Sequence, residues 1–428
     1  MGEEDANHSV ETRKTAAELI GWLADAGLRN LPFEQIVDGF SRRLNEMGVS
    51  VVRTFVGMNT LHSMLRARSL IWDRMSGPSV KYELDHERFN DPFVQQSPFA
   101  RILREGIGEE RRRLTDRGSL GEETALFEEL RSAGMTEWFG VVFPFGDLSP
   151  HLRGASETAR KDQLWLVCSL TTDQAEGYRN ADLATLRHVL PVFAVTIKAA
   201  TMRSIGQGLL ATYLGNDPAT RVLSGTVLRG EVQAIEAVLF YADLRGFTEL
   251  ADTMSGEDLL ATLDLYLDCM ARPVVARGGE ILKFMGDGLL AAFDANDANR
   301  AEVCATALDA AEEAVASVDA LNATRQAAGQ RFAGLDIALH VGEVLYGNVG
   351  IDERLDFTVI GPAVNEASRI ELMCKSVGQN ILASAQFVQA RRSRDRLVSV
   401  GRHQLRGVRG ETELFALVRA RGRDAVGA

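Results

Sequence analysis

The stretch VLFYADLRGFTEL, Val238 to Leu250, decides the fold of the second half of this chain. A mostly apolar run, strand-like in composition, ends on Asp243, passes a glycine at 246 and reaches Thr248, which can open a helix. Asp and Gly are common turn residues, so a plain reading makes Asp243 a turn opener. The sharper reading gives the strand a metal ligand at its tip. The turn Leu244–Thr248, with Gly246 and Phe247 inside it, then offers backbone N–H groups to a phosphate.

Working outward, the second half alternates between strand and helix patterns. EAVLFYA (236–242) is a strand, and SGEDLLATLDLYLDCMARPV is a helix opened by Ser255 with Asp258 three residues on. GGEILKFMGDGLLAAF is a β-hairpin turning at Gly286-Asp287-Gly288. A long Ala-rich helix follows at 298–328, then strands at 335–349 and 355–360. PAVNEASRIELMCKS (362–376) is a helix with Pro362 in its first turn, and ELFALV supplies a last strand. The order βαββαβ predicts an α+β unit: a mainly antiparallel, helix-backed sheet, ferredoxin-like in its core.

Asp287 sits between two glycines at a hairpin tip. If the hairpin pairs with the first strand, Asp243 and Asp287 meet at one end of the sheet. A buried carboxylate pair is costly unless cations neutralise it. Two carboxylates plus a triphosphate make a natural site for two Mg²⁺ or Mn²⁺ ions. Asn365 and Arg369 are four apart and share a helical face, where an amide and a guanidinium can orient a sugar and meet phosphate charge. Taken alone, that pair is equally a solvated helix face.

FYADLRGFT, LKFMGDGLLAAF and TVIGPAVNEASRIE, in this order, resemble the signature segments of class III nucleotidyl cyclases over about residues 230–420. The resemblance implies that Asp243 and Asp287 bind the two metal ions, that Asn365 orients the ribose and that Arg369 stabilises the transition state. It implies that Lys283 contacts adenine. Thr358 falls where many members carry an aspartate acting with that lysine, a variation found among bacterial adenylate cyclases. Guanine-selective relatives typically carry glutamate at the position of Lys283, so the lysine points to ATP. A basic residue near the C-terminus, Arg406 or Arg409, would hold the β- and γ-phosphates. The implied reaction is in-line attack of the ribose 3′-OH on the α-phosphorus, with pyrophosphate leaving. The resemblance also implies a homodimer whose two sites are each shared between chains. The rivals are a guanylate cyclase and a catalytically silent nucleotide-binding sensor.

The first half is less specific. All four tryptophans lie before residue 170. Helical periodicity covers 15–27 and 33–47, and strand-like runs lie at 51–58, 69–74, 80–84, 138–145 and 163–170, with short helices between. The element order is similar to GAF-type small-molecule sensor domains and implies an unknown small-molecule or protein regulator. His62 is a lone histidine and is read as structural. A long helix starts near Asn180. Its seam of Leu186, Val189, Leu190, Phe193 and Ile197 reads either as packing on its own domain or, in the preferred reading, as a dimer-forming transducer. Pro191 is expected to kink it or mark a helix start. The expected domains are a sensor over 1–178, a helical linker over 179–231 and a catalytic domain over 232–428.

Bulk properties agree with this division. The 428 residues suffice for two or three domains, and 46% are hydrophobic. A net charge of −12 argues against a nucleic-acid binder, which needs a broad basic surface. Cys168, Cys269, Cys304 and Cys374 are scattered, which predicts neither a disulfide framework nor a structural zinc site. No apolar run suggests a membrane span and the N-terminus is polar, so the sequence predicts a cytoplasmic protein.

Overall fold

A computed structural model describes residues 3–59, 67–84, 96–105, 107–115, 124–145, 165–252, 254–393, 395–408 and 410–417. His62 and Arg409 lie outside these described residues. The chain forms two compact units, Met1–Leu209 and Leu210–Ala428.

The first unit begins with helices α1 (Glu3–Leu28) and α2 (Phe33–Glu46). Strands β1 (Arg53–Asn59), β2 (Ala67–Asp73) and β3 (Gly77–Leu84) follow. Then come α3 (Pro98–Glu105), β4 (Glu109–Arg113), α4 (Ala125–Ser132), β5 (Glu137–Pro144) and β6 (Trp165–Thr172). The strands make one antiparallel sheet in the order β3-β2-β1-β6-β5-β4. Its core joins Leu19 and Leu23 of α1 and Ile36 and Phe40 of α2 to the sheet residues Val56, Leu70 and Trp72.

Helix α5 (Asn180–Leu214) runs unbroken, with Pro191 inside it. Leu186, Val189, Leu190, Phe193 and Ile197 are 0–1% exposed and sit in the core of the first unit. The preferred dimer-seam reading therefore fails for these five residues, because the same apolar stripe is already covered by α1, α2 and the sheet. Phe193 stacks on Phe40 with ring centroids 4.0 Å apart. Contrary to the sequence expectation, α5 is long and apolar enough to cross a membrane, although half of its most apolar window is buried. A core helix of this length meets the same criterion.

The second unit contains α6 (Asn216–Leu223), β7 (Val232–Arg245), α7 (Phe247–Ala251) and α8 (Gly256–Ala276). Next are β8 (Glu280–Met285), β9 (Gly288–Ala295), α9 (Arg300–Ala327), β10 (Gly334–Ile351) and β11 (Arg354–Ile360). Helix α10 (Pro362–Val377), β12 (Ile381–Ser384), α11 (Ala385–Arg391), β13 (Leu397–Gln404) and β14 (Glu411–Leu417) complete it. The sheet order is β13-β14-β12-β10-β7-β9-β8, with β11 paired to β10. Within it, β10-β7-β9-β8 is the antiparallel ferredoxin-like core that the βαββαβ order predicts.

Period-two alternation places the site. Val238, Phe240, Ala242 and Leu244 are 0–2% exposed and join a core with Tyr266 and Met270 of α8 and Leu308 and Ala311 of α9. The opposite face of β7 carries Tyr241 and Asp243. Tyr241 packs there against a cluster containing Ala338 of β10 and Ile370 and Cys374 of α10.

Candidate active site

Strand β7 continues past the apolar run, and Asp243 lies two residues before its end. Gly246 caps α7 with φ +82°, a left-handed conformation that glycine adopts without strain. Thr248 is exposed at the start of this five-residue helix, while Leu244 and Phe247 are buried in the core. The turn thus hangs from two apolar anchors.

The hairpin brings Asp287 up to Asp243. Ala242 pairs with Leu289, and a Cβ built on Gly288 would stand 2.6 Å from Oδ1 of Asp243. Glycine at 288 therefore leaves the room this carboxylate occupies. Burial, then the charges of Asp287 and Asp336, push Asp243 up to about 6. A group held this far from its ordinary value, with carboxylates as its neighbours, suits a dication. Among the described residues no three His, Cys, Asp or Glu side chains form a metal cage by themselves. Asp243 and Asp287, two carboxylates side by side, are the residues that could hold a metal ion here.

Two acidic residues here escaped the sequence reading. Asp336 stands opposite Asp243 in the β7–β10 register, is 4% exposed, and has Arg245 Nη1 at 3.2 Å. Burial raises Asp336, while Arg245 and Lys375 lower it. Glu371 of α10 is 7% exposed; burial and then Asp243, Asp336 and Asp287 push it up to about 7. Alternation along LDIALHV hinted at Asp336, since its position matches the face of Ala338 and His340. No local signal marked Glu371.

Lys283 is exposed on β8, and its Nζ donates to Oδ2 of Asp356 on β11 at 3.0 Å. The lysine holds that carboxylate below its ordinary value. The resemblance put Thr358 where many members carry an aspartate acting with that lysine. Asp356 lies two residues earlier and therefore on the same face of β11 as Thr358. Asn365 is exposed and Arg369 half-buried on one side of α10. Tyr241, two residues before Asp243, is raised by burial, Glu371 and Asp243 and lowered by Arg369. Arg406 is exposed in the turn between β13 and β14, with no contact to either aspartate among the described residues.

Among solved structures, the adenylyl cyclase CyaB from P. aeruginosa is 27% identical, with 45% of this chain and 97% of that chain covered and a TM-score of 0.40. An uncharacterized protein of Mycobacterium tuberculosis is 35% identical over 261 residues, covering 57% of this chain and 47% of that protein. An adenylate cyclase of Anabaena cylindrica is 34% identical over 164 residues, covering 37% of this chain and 32% of that protein. The chain thus spans less than half the length of either curated relative. Residues 231–419 match the family model of the adenylate and guanylate cyclase catalytic domain. That match takes in most of the second unit, so the segment holding Asp243 and Asp287 is similar to an adenylate and guanylate cyclase catalytic domain.

Proposed function

We propose that this protein is an adenylate cyclase that converts ATP to 3′,5′-cyclic AMP and pyrophosphate, with the first unit regulating the second. The observation that carries this reading is the convergence of Asp243 and Asp287 inside the cyclase-matched segment.

Asp243 and Asp287 would hold Mg²⁺ or Mn²⁺. Such ions, when bound, lower the pKa of the ribose 3′-OH and offset triphosphate charge. The turn Leu244–Thr248 directs backbone N–H groups to the phosphates. Arg369 donates to the α-phosphoryl oxygens as charge builds on them, and Asn365 holds the ribose. Arg406 or Arg409 holds the β- and γ-phosphates.

Adenine presents a ring-nitrogen acceptor beside its amino group, whereas guanine presents a ring N–H beside a carbonyl. The Lys283 ammonium donates to the adenine acceptor. Asp356 and Thr358 lie on one strand face as acceptors for the amino group. This arrangement favours ATP, because the lysine would meet a donor on guanine. We assign the active form as a homodimer: one chain supplies Asp243 and Asp287 to a site, and its partner supplies Lys283, Thr358, Asn365 and Arg369.

Incubating the full chain with ATP or GTP and Mn²⁺ or Mg²⁺, with product identification, tests this reading. Cyclic AMP from ATP is expected. Exclusive formation of cyclic GMP, or no product under any pairing, would reject it.

A further inference from the structure

The first unit contains a cavity of about 150 Å³ between the start of α2, the β1–β2 pair and α5. Its floor is a register pair, Met58 on β1 and Arg68 on β2. Its wall is one side of α5, where Ala200, Thr201, Arg203 and Ser204 follow helical spacing. Phe33 closes the rim at the first position of α2. These residues are all within the first unit.

Two polar groups of this cavity, on Arg68 and Thr201, lack a hydrogen-bond partner among the described residues. The Nε of Arg68 is buried with no hydrogen-bond partner, and its Nη2 reaches Glu34 only at 3.3 Å. Charge-assisted bonds of this type usually run at roughly 2.7–2.9 Å. Thr201 is 6% exposed, yet its hydroxyl has no partner among the described residues. On the same helix Thr185 and Thr196 donate to carbonyls four residues back, at 3.0 and 2.9 Å. Thr201 forgoes that bond and lines the cavity instead. Arg203 is exposed at the rim and makes no ion pair among the described residues. At the other rim, α2 starts at Pro32 without a side-chain cap.

A buried donor without an acceptor is costly, so a pocket that sets the Nε of Arg68 beside the hydroxyl of Thr201 suits an acceptor that arrives from solution. The guanidiniums of Arg68 and Arg203 on the lining make that acceptor an anion. Phe33, Met58 and Ala200 supply apolar contact for the rest of it. A cavity of about 150 Å³ holds a body the size of benzene, which limits the ligand to about ten non-hydrogen atoms. We infer that this cavity is a binding site for a small organic oxyanion, a carboxylate or monophosphate on a compact apolar body. Because α5 forms its wall, occupancy bears directly on the helix that continues to Leu214.

Binding of benzoate, phenyl phosphate and inorganic phosphate to the full chain by titration calorimetry tests the site without reference to nucleotide turnover. Benzyl alcohol serves as the neutral control. Benzoate or phenyl phosphate should bind, whichever anion the pocket prefers, and should bind more tightly than inorganic phosphate or benzyl alcohol. Thr201→Val, which keeps the side-chain shape, should weaken binding roughly tenfold. Arg203→Gln, at an exposed position, should also weaken it, and Ala200→Phe should abolish it by filling the cavity. Tryptophan fluorescence from Trp22 and Trp72 verifies that each variant is folded. Absence of binding by both organic anions, or affinities unchanged across folded variants, would overturn the assignment.

Discussion

Asp243 and Asp336 stand directly opposite each other on neighbouring antiparallel strands, yet among the described residues only Asp336 has an arginine, Arg245, at 3.2 Å. The asymmetry explains why Asp243 is the group left needing a cation. Its folded value of about 6 exceeds an unfolded value near 4, so ionising it costs stability as pH rises through that interval. Without divalent ions, Asp243→Asn should therefore have a higher melting temperature than wild type at pH 8, and the advantage should shrink at pH 4. Mn²⁺ should raise the wild-type melting temperature at pH 8 and leave Asp243→Asn nearly unmoved. Turnover in Asp243→Asn should fall by at least a hundredfold. A variant that still gains full Mn²⁺ stabilisation would exclude Asp243 as a metal ligand.

The hydrogen bond from Lys283 to Asp356 makes base choice a property of a pair. Lys283→Glu should reduce kcat/KM for ATP roughly ten- to a hundredfold, the usual effect of losing one hydrogen-bonded contact at about 1–3 kcal/mol. Asp356→Asn should act mainly on KM, because the lysine remains but is less firmly oriented. Thr358→Val, on the same strand face, should have a smaller effect than either. Steady-state kinetics with ATP and GTP checks all three, and an unchanged ATP preference in Lys283→Glu would remove that residue from base recognition.

Local pattern carried much of this fold. Alternation in β7, the Gly286–Gly288 turn and the proline-started α10 are each written within a dozen residues. The Asp243–Asp287 meeting followed from them by one hairpin. What was hidden depends on distant pairing. Asp336 faces Asp243 only because β10 returns beside β7 after the intervening helices. Glu371 is buried because of which strands α10 covers, and its own neighbours in sequence do not record that. The stripe on α5 was visible, but whether it met another chain or its own sheet was a question of contacts that periodicity does not contain. Short elements such as β12 and α11 gave too few residues for any period to be read.

His340 provides a pH effect of the opposite sign. It is 2% exposed, its Nδ1 shares a hydrogen bond with Ser384 Oγ at 2.9 Å, and Glu366 lies 3.5 Å from Nε2. Burial lowers it to about 4, well under its ordinary value. Its contribution to stability is complete above about pH 6.5 and is lost as pH falls towards 4, since the unfolded chain takes the proton first. At pH 5 the loss relative to pH 7.5 should be about 2 kcal/mol. The wild-type protein minus His340→Gln isolates this loss from Asp243 and Glu371, which favour folding on acidification. Calorimetry is the right probe, because every tryptophan precedes residue 170 and lies outside this unit. Identical pH profiles for the two proteins would show that His340 does not stay neutral in the folded state.

The sharing of sites between chains makes a separate prediction. A site built inside a single chain is the competing arrangement. Asp243→Ala and Arg369→Ala should each be inactive as homodimers under both arrangements. They differ when the two proteins are mixed and exchange subunits. If sites are shared, a mixed dimer puts both lesions into one site and leaves the other whole. Random exchange of equal amounts makes about half of the dimers mixed, each with one working site, so roughly a quarter of wild-type activity should return. If each site is intrachain, every site in the mixture carries a lesion and activity stays at the level of the parents. Differently tagged chains that co-purify establish that exchange has occurred, and silence in such a mixture would assign Asp243 and Arg369 to the same chain's site.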